Sequence, residues 1–160
     1  MVFCLFFLLL CSCTPKIKTF ADAALEFQTS AYKGERLKLE GWKEGAPGEA
    51  LILFSSSKHV DVDEARRLIL VTVRQFLPYL NRQEFDEENL IVGIQFKEAD
   101  GRFVEEDFVA EACLKKGKII YYSLDEGKRR AFYAEPYETA LTKTVGRPCE
   151  PGFRPFSLSQ

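Results

Sequence analysis

Hydrophobic side chains recur at helical spacing in three segments of the chain. The strongest pattern runs from about Val62 to Asn81, and Pro78 is expected to end or kink this helix near its last turn. A shorter pattern runs from Phe20 to Tyr32, and a third helix is expected at roughly Tyr137 to Thr144. The stripe of the long helix comprises Ala65, Leu68, Ile69, Thr72, Val73, Phe76 and Leu80. Elsewhere around its axis lie Arg66, Arg67, Arg74 and Gln75.

Five further segments have the patterns of strands. Residues 36–42 alternate between apolar and polar side chains, as a half-buried strand does. Residues 50–54 are apolar throughout, which is typical of a central strand covered on both faces. A Gly- and Pro-containing turn between these two predicts a hairpin. Residues 90–96, residues 107–114 and a third strand from about residue 118 predict a meander.

The alternation of side chains between the two faces of each strand predicts the register of this meander. A three-residue loop, Ala99 to Gly101, keeps apolar residues on one face if Gly101 is left-handed. That loop pairs Glu98 with Arg102, Val92 with Phe108, and Leu90 with Ala110. The next turn, Lys116-Gly117, pairs Leu114 with Ile119 and Ala112 with Tyr121.

These elements predict an α+β fold in which an antiparallel sheet of about five strands packs on helices, in the order α-β-β-α-β-β-β-α. The meander also has an apolar second face, made by Ile91, Val109, Cys113, Ile120, Tyr122 and Leu124. We expect the last helix or the C-terminal tail to cover it. That tail, residues 146–160, is rich in Pro and Gly but contains Phe153 and Phe156, so packing against the domain is favoured over a disordered terminus.

Composition limits the classes of function. The 160 residues suit a single domain, and 22 basic against 24 acidic residues give a net charge of -2. A nucleic-acid partner is therefore not expected, because such proteins concentrate positive charge. The aromatic content, with 14 Phe and 6 Tyr, favours strands and a large core.

The N-terminus has the features of a targeting signal. Val2 to Leu10 contains only apolar residues and one Cys, which is too short for a membrane-spanning helix but suits the core of a signal peptide. The following stretch Leu10-Cys11-Ser12-Cys13 resembles the lipobox of bacterial lipoproteins. The alternative, a buried N-terminal helix or strand, would leave this run without any polar face.

The lipobox resemblance implies processing and a location. It implies that residues 1–12 are a signal peptide and that Cys13 is lipidated. Residues 13–18, which include Pro15 and two lysines, are expected to form a tether to a single domain at residues 19–145. Two or three acyl chains hold a protein firmly at a membrane. Because Thr14 rather than Asp follows Cys13, the resemblance favours the outer membrane, facing the periplasm.

Cys113 and Cys149 are the two thiols that remain in the mature chain. The oxidising cell envelope would permit a disulfide between them, which would fasten the tail to the second face of the meander. The alternative is two unrelated cysteines, one of them a small buried hydrophobe. Spacing alone does not decide between these alternatives.

The stretch "SSSKHVDVDE" contains the only histidine and invites three interpretations. Asp61 with Glu64 fits a capping box at the start of the long helix, which is favoured over a metal site that would also use His59 and Asp63. A hydrolase triad of Ser57, His59 and Asp61 is disfavoured, because triad members must converge in space and sequence neighbours rarely do. The acidic run Glu105, Glu106 and Asp107 is expected to be a solvated strand edge rather than an acid/base site.

The sequence names no reaction. It contains no phosphate-binding glycine motif, no Cys-x-x-Cys pair and no HExxH, so no catalytic residue, metal ligand or cofactor is assigned. We therefore expect a lipid-anchored envelope protein that binds another protein or a lipidic ligand without catalysis. The alternative is a tethered acid/base enzyme that uses carboxylates and His59. A pocket uniting His59 with two carboxylates would favour the enzyme, and an open apolar face would favour the binding protein.

Overall fold

The computed structural model describes residues 19–30, 37–44, 49–80, 88–104 and 108–145. Within these ranges it contains three α-helices and six strands. The helices are α1 (Phe20–Ser30), α2 (Val62–Phe76) and α3 (Tyr137–Val145). The strands are β1 (Lys38–Glu44), β2 (Ala50–Ser56), β3 (Leu90–Phe96), β4 (Glu111–Lys115), β5 (Lys118–Asp125) and β6 (Lys128–Pro136). The predicted α+β class is therefore confirmed.

The six strands form one mixed sheet in the order β1-β2-β3-β4-β5-β6. All neighbours are antiparallel except β2 and β3, so the predicted five-strand antiparallel sheet is wrong. The physical reason is α2, which connects β2 to β3 and returns the chain to the end of the sheet where β2 began. A helical crossover of this kind produces parallel neighbours.

The missed strand, β6, follows β5 through a two-residue turn. Glu126 and Gly127 both have positive φ, 50° and 74°, which is the conformation of the primed hairpin turns. The strand itself has little hydrophobic alternation, because most of its side chains are exposed at the edge of the sheet. Its sequence therefore carries a turn signal but almost no core pattern.

The loop after β3 is the predicted one, but the register beyond it is not. Glu98 N donates to Arg102 O at 2.7 Å, and Gly101 has φ 85°, as parity requires. The strand pairing on the two sides of this loop then stops after the Lys97–Phe103 bridge. Val92 of β3 pairs with Leu114 of β4, not with Phe108. The predicted pairs of Val92 with Phe108 and Leu90 with Ala110 are thus wrong. The shift is an even number of residues, so the faces of the strand are preserved.

The turn between β4 and β5 follows the prediction. Leu114 pairs with Ile119 and Ala112 with Tyr121, and Gly117 has φ 65°. In this hairpin the turn residues and the hydrophobic pattern specify the same register, so the sequence alone was sufficient to predict the pairing of β4 with β5.

One face of the sheet carries the hydrophobic core, and the helices lie on that face. Phe27 of α1 is fully buried, with ring centroids 5.8 Å from Phe54 of β2 and 5.1 Å from Phe76 of α2. Edge-to-face aromatic pairs of this kind add about 0.5–1.5 kcal/mol each beyond simple burial. The helical stripe predicted for α1 and α2 is therefore what attaches both helices to the sheet.

The start of α2 confirms the predicted cap. Asp61 has extended backbone and accepts a hydrogen bond from Glu64 N at 2.8 Å. The carboxylate of Glu64 does not return the bond; it pairs with Arg67 at 2.8 Å instead. The helix ends at Phe76 rather than Asn81, because Pro78 lies in a 3-10 turn over Leu77–Tyr79.

The second face of the sheet lacks the predicted helical cover. α3 contacts α2 and buries Tyr137 and Ala140 in the common core, so it lies on the helix side. Leu51 and Leu53 of β2 are only half-buried, so β2 is not covered equally on both faces as predicted. Val109, predicted to lie on the second face, belongs to the core and donates its N–H to Val60 O at 3.0 Å.

Several predicted features lie outside the described residues. These are the signal peptide, the lipidation site Cys13, the tether, the acidic run at residues 105–107, and the tail with Cys149. None of the helices that the structure describes has the length and hydropathy that crossing a bilayer requires.

Candidate functional site

The sheet face opposite the helices is the main candidate for a binding surface, and we call it the open face. Strand pairing arranges its side chains in rows that run across the sheet. The apolar row consists of Gly41, Leu53, Gly93, Cys113, Ile120 and Ala134. The lysine row consists of Lys43, Leu51, Ile91, Lys115 and Lys118. The polar row consists of Lys38, Ser55, Gln95, Glu111, Tyr122 and Ala131.

The apolar row is accessible, although its side chains belong to the middle of a sheet. Leu53, Cys113 and Ile120 are each half-buried, in contrast to their fully buried neighbours on the helix side. Gly93 lets Leu53 lie flat, since a Cβ on Gly93 would stand only 2.8 Å from Leu53 Cδ1. The open face thus presents a row of partly exposed apolar side chains, and exposed apolar surface is what protein or membrane contacts use.

Cys113 contributes a thiol to the centre of this row. Burial, with a smaller effect of the nearby Glu111 carboxylate, raises the pKa of the Cys113 thiol to about 11. The thiol is therefore almost entirely protonated at neutral pH, and only the thiolate is an effective nucleophile. The sequence prediction that Cys113 lies on the second face is confirmed, and the described residues contain it as a free cysteine.

The acidic groups of the open face are already paired. Ser55 Oγ donates to Glu40 Oε1 at 2.5 Å, and this bond is the main reason that the pKa of Glu40 lies below its usual value. Glu111 accepts hydrogen bonds from Gln95 at 3.3 Å and from Arg129. Lys38 Nζ lies 3.5 Å from Glu40 Oε1, so each of these two carboxylates has a basic partner, Lys38 for Glu40 and Arg129 for Glu111.

The lysine row has the opposite character. Lys43, Lys115 and Lys118 are exposed, and none of them has a carboxylate partner within the part of the chain that the structure describes. Lys115 and Lys118 stand directly opposite each other on neighbouring strands. Like charges in this position are unfavourable for the sheet, but the Glu88 side chain lies at the same turn, its Cγ 4.0 Å from where a Cβ on Gly117 would stand.

His59 lies in the loop between β2 and α2, where Glu98 is its carboxylate partner among the described residues. Its Nε2 is 2.7 Å from Glu98 Oε1, and its ring lies 5.0 Å from that of Phe108. Phe108, predicted to face the core, is 38% exposed and covers His59 instead. Glu98 also borders a depression of about 300 Å³ together with Ala99, Asp100, Arg102 and Phe103.

The two other interpretations of the His59 segment gain no geometric support. The Asp61 carboxylate caps α2 and His59 pairs with Glu98, so Ser57, His59 and Asp61 do not form a chain of hydrogen bonds. Among the described residues, no group of three or more His, Cys, Asp or Glu side chains is arranged to hold a metal ion.

A buried ionic cluster between α2, β5, β6 and α3 was not anticipated from the sequence. Glu135, whose side chain is only 3% exposed, lies at its centre. Its Oε1 accepts from Arg66 Nε at 2.5 Å and from Tyr121 Oη at 2.8 Å. Its Oε2 accepts from Lys143 Nζ at 2.6 Å and from Tyr133 Oη at 3.1 Å.

This cluster also corrects the placement of Arg66, which lies in the interior although it is off the apolar stripe. Arg66 pairs there with Asp63 as well as Glu135. Burial alone would raise the pKa of the Glu135 carboxyl, but hydrogen bonds from Lys143, Arg66 and Tyr121 outweigh it and hold this pKa below its ordinary value. Burial and the Glu135 hydrogen bond raise the pKa of Tyr121. A carboxylate with four donors has no lone pair to spare for a substrate, which indicates a structural role.

Comparison of the chain with protein-family models, with curated proteins and with solved structures finds no match.

Proposed function

We propose that this chain is a lipid-anchored protein of the bacterial cell envelope that acts as a non-enzymatic binding module, with the open face as its binding surface. The single observation that supports binding is the accessible apolar row, which neither the helices nor any other described element covers. The anchor is supported by the lipobox-like stretch that ends at Cys13.

The alternative is a tethered acid/base enzyme, and the His59–Glu98 pair is the observation in its favour. A histidine within 2.7 Å of a carboxylate can exchange protons with a bound molecule. The pair has one carboxylate rather than two, however, and both side chains are more than a third exposed. The binding module is therefore the better-supported function.

Photo-crosslinking in the native envelope tests the binding proposal. A photoreactive residue placed at Ile120, on the open face, should give a covalent adduct with another cell-envelope molecule. The same residue at Gln75, exposed on α2, is the matched control. Adducts from Ile120 but not from Gln75 would support the proposal, and a chain that forms no adduct from Ile120 would contradict it.

A further inference from the structure

The described part of the chain ends beside one edge of the sheet. Lys143 Nζ, in the last turn of α3, donates to Glu135 Oε2 at 2.6 Å and to Tyr133 Oη at 2.9 Å. Both acceptors belong to β6, the outermost strand. Residues 146–160, which we call the tail, therefore begin close to the edge that separates the helix side from the open face.

The tail is long enough to pass around this edge. Fifteen residues follow Val145, and an extended chain spans about 3.3–3.6 Å per residue, so the tail can reach about 50 Å. A path from the helix layer around β6 to the middle of the open face at β4 needs about 30 Å, because layers lie about 10 Å apart and strands about 4.8 Å apart. The tail can therefore cover the half of the open face formed by β4, β5 and β6.

The composition of the tail suits docking in an extended form. It contains Pro148, Pro151 and Pro155, which favour the polyproline conformation and reduce the entropy that is lost when a segment becomes ordered. Proline-rich segments bind surfaces that present aromatic side chains. Phe153 and Phe156 supply large apolar side chains whose burial would stabilise the contact.

The open face offers a matching surface next to this edge. Ile120, Tyr122 and Leu124 alternate along β5 on the open face, and each of them is half-buried. Opposite Ile120 and Tyr122, the edge strand carries Ala134 and Ala131, both small and exposed. The edge strand therefore leaves space beside these two side chains, one of them aromatic, for a segment that comes around β6.

Covalent attachment favours the tail over a free molecule as the occupant. A segment joined to the domain has an effective concentration of about millimolar order, so even a weak contact is populated. A second copy of the chain or any other partner has to compete with it. The apparent affinity of such a partner falls in proportion to the fraction of chains whose open face is free.

We propose that residues 146–160 dock on the open face across β5 and β6, with the two phenylalanines of the tail against Ile120 and Tyr122. The tail then competes with the partner of the binding module. This inference rests on the proposed function, because it concerns the same surface. It adds that partner binding requires release of the tail, so the chain carries its own inhibitor.

The test uses the full chain reconstituted into phosphatidylcholine vesicles with few protein molecules per vesicle. The photoreactive residue is placed at Ile120 or, as the control, at Gln75 on α2. Proteolysis and mass spectrometry identify each adduct. We expect Ile120 to form an adduct with residues 146–160 of the same chain, and we expect Gln75 to give this adduct only at background yield.

Paired variants of the tail test its aromatic side chains. Phe153→Ser with Phe156→Ser should lower the yield of the tail adduct roughly tenfold, because burial of these rings holds the tail. In the native envelope the same variant should raise the yield of adducts between Ile120 and the partner, because the competitor is released. Ser157→Ala with Ser159→Ala is the control within the same segment and should change neither yield.

Cys113→Ser separates docking from a disulfide. The tail adduct should persist in this variant, because the apolar contact does not require a bond to Cys149. Loss of the adduct would show that a disulfide holds the tail and would overturn docking through the apolar contact.

The identity of the adduct decides the occupant. An Ile120 adduct with lipid or with a second copy, or the absence of an adduct with residues 146–160, would overturn docking of the tail. An envelope yield that the paired phenylalanine variant leaves unchanged would overturn the competition. The binding module would still stand if Ile120 gave adducts with another molecule in the native envelope. Absence of those envelope adducts would instead contradict the proposed function itself.

Discussion

Arg66 and Glu135 are 69 positions apart in the chain, yet Nε of Arg66 lies 2.5 Å from Oε1 of Glu135 in the interior. The pair joins α2 to β6, and Lys143 extends it to α3. The cluster therefore attaches α2 and α3 to β6, the strand at the edge of the sheet.

Glu135→Ala is predicted to be strongly destabilising. It leaves the Arg66 guanidinium buried without its carboxylate, and breaking a buried pair typically costs about 3–5 kcal/mol of unfolding free energy. Denaturant unfolding measures the loss. Glu138→Ala, an exposed residue of α3, is the control and should cost less than about 1 kcal/mol. A small effect of Glu135→Ala would mean that solvent reaches Arg66 readily.

Stability should also fall in acid through Glu135. Its pKa in the folded chain lies below the unfolded value of about 4.3, so the folded state binds fewer protons at this site. The contribution is therefore fully present above the unfolded pKa and is lost as the pH falls through the folded pKa. The free-energy difference between the wild type and Glu135→Gln should be larger at about pH 7 than at about pH 3. A difference that does not change with pH would contradict the assignment.

Asp61→Ala should cost about 1 kcal/mol of unfolding free energy, because Glu64 N loses its side-chain acceptor at the start of α2. His59→Ala should leave both stability and cellular function close to wild type. Thermal unfolding and a complementation assay measure these effects. A His59→Ala chain that folds normally but fails in the cell would revive the acid/base alternative.

Lipidation at Cys13 remains a prediction. Cells grown with a fatty-acid analogue should label the wild-type chain and fail to label Cys13→Ala. Cys11→Ala is the matched control, because Cys11 precedes the expected cleavage site and should not affect labelling. Label that persists in Cys13→Ala, or a wild type that never acquires it, would remove the anchor.

The disulfide between Cys113 and Cys149 stays a prediction, and its alternative is a pair of free thiols. Cys113 lies on the open face, and Cys149 lies outside the described residues. A disulfide requires the two Cα atoms to lie within about 7 Å of each other, so the bond would hold the tail at the open face.

Mass spectrometry of the unreduced protein decides between the two alternatives. If the two cysteines are unpaired, Cys113 should be detected as a thiol that alkylates slowly in the folded chain, because its pKa of about 11 leaves little thiolate. Cys113→Ser is the control that shows whether the detected thiol belongs to Cys113. A bridged peptide would instead show that the tail crosses the open face, and reduction should then cost about 2–4 kcal/mol.

The sequence by itself determined those features that depend on neighbours in the chain. The stripe of α2, its Asp61 cap and the register around Gly117 all arise from side-chain spacing and turn chemistry within a few residues. The same holds for Gly101, whose left-handed conformation followed from parity on the two sides of its loop. Local conformational preference and the periods of helix and strand suffice for such features.

Only the tertiary structure decided which distant segments meet. The parallel pairing of β2 with β3, the pairing of Val92 with Leu114 and the addition of β6 depend on contacts between elements that no local pattern specifies. Burial of Arg66 depends on Glu135, far along the chain, because only a paired charge is tolerated in the core. The open face arises in the same way: the strands present two apolar faces, and the placement of all three helices on one of them leaves the other accessible.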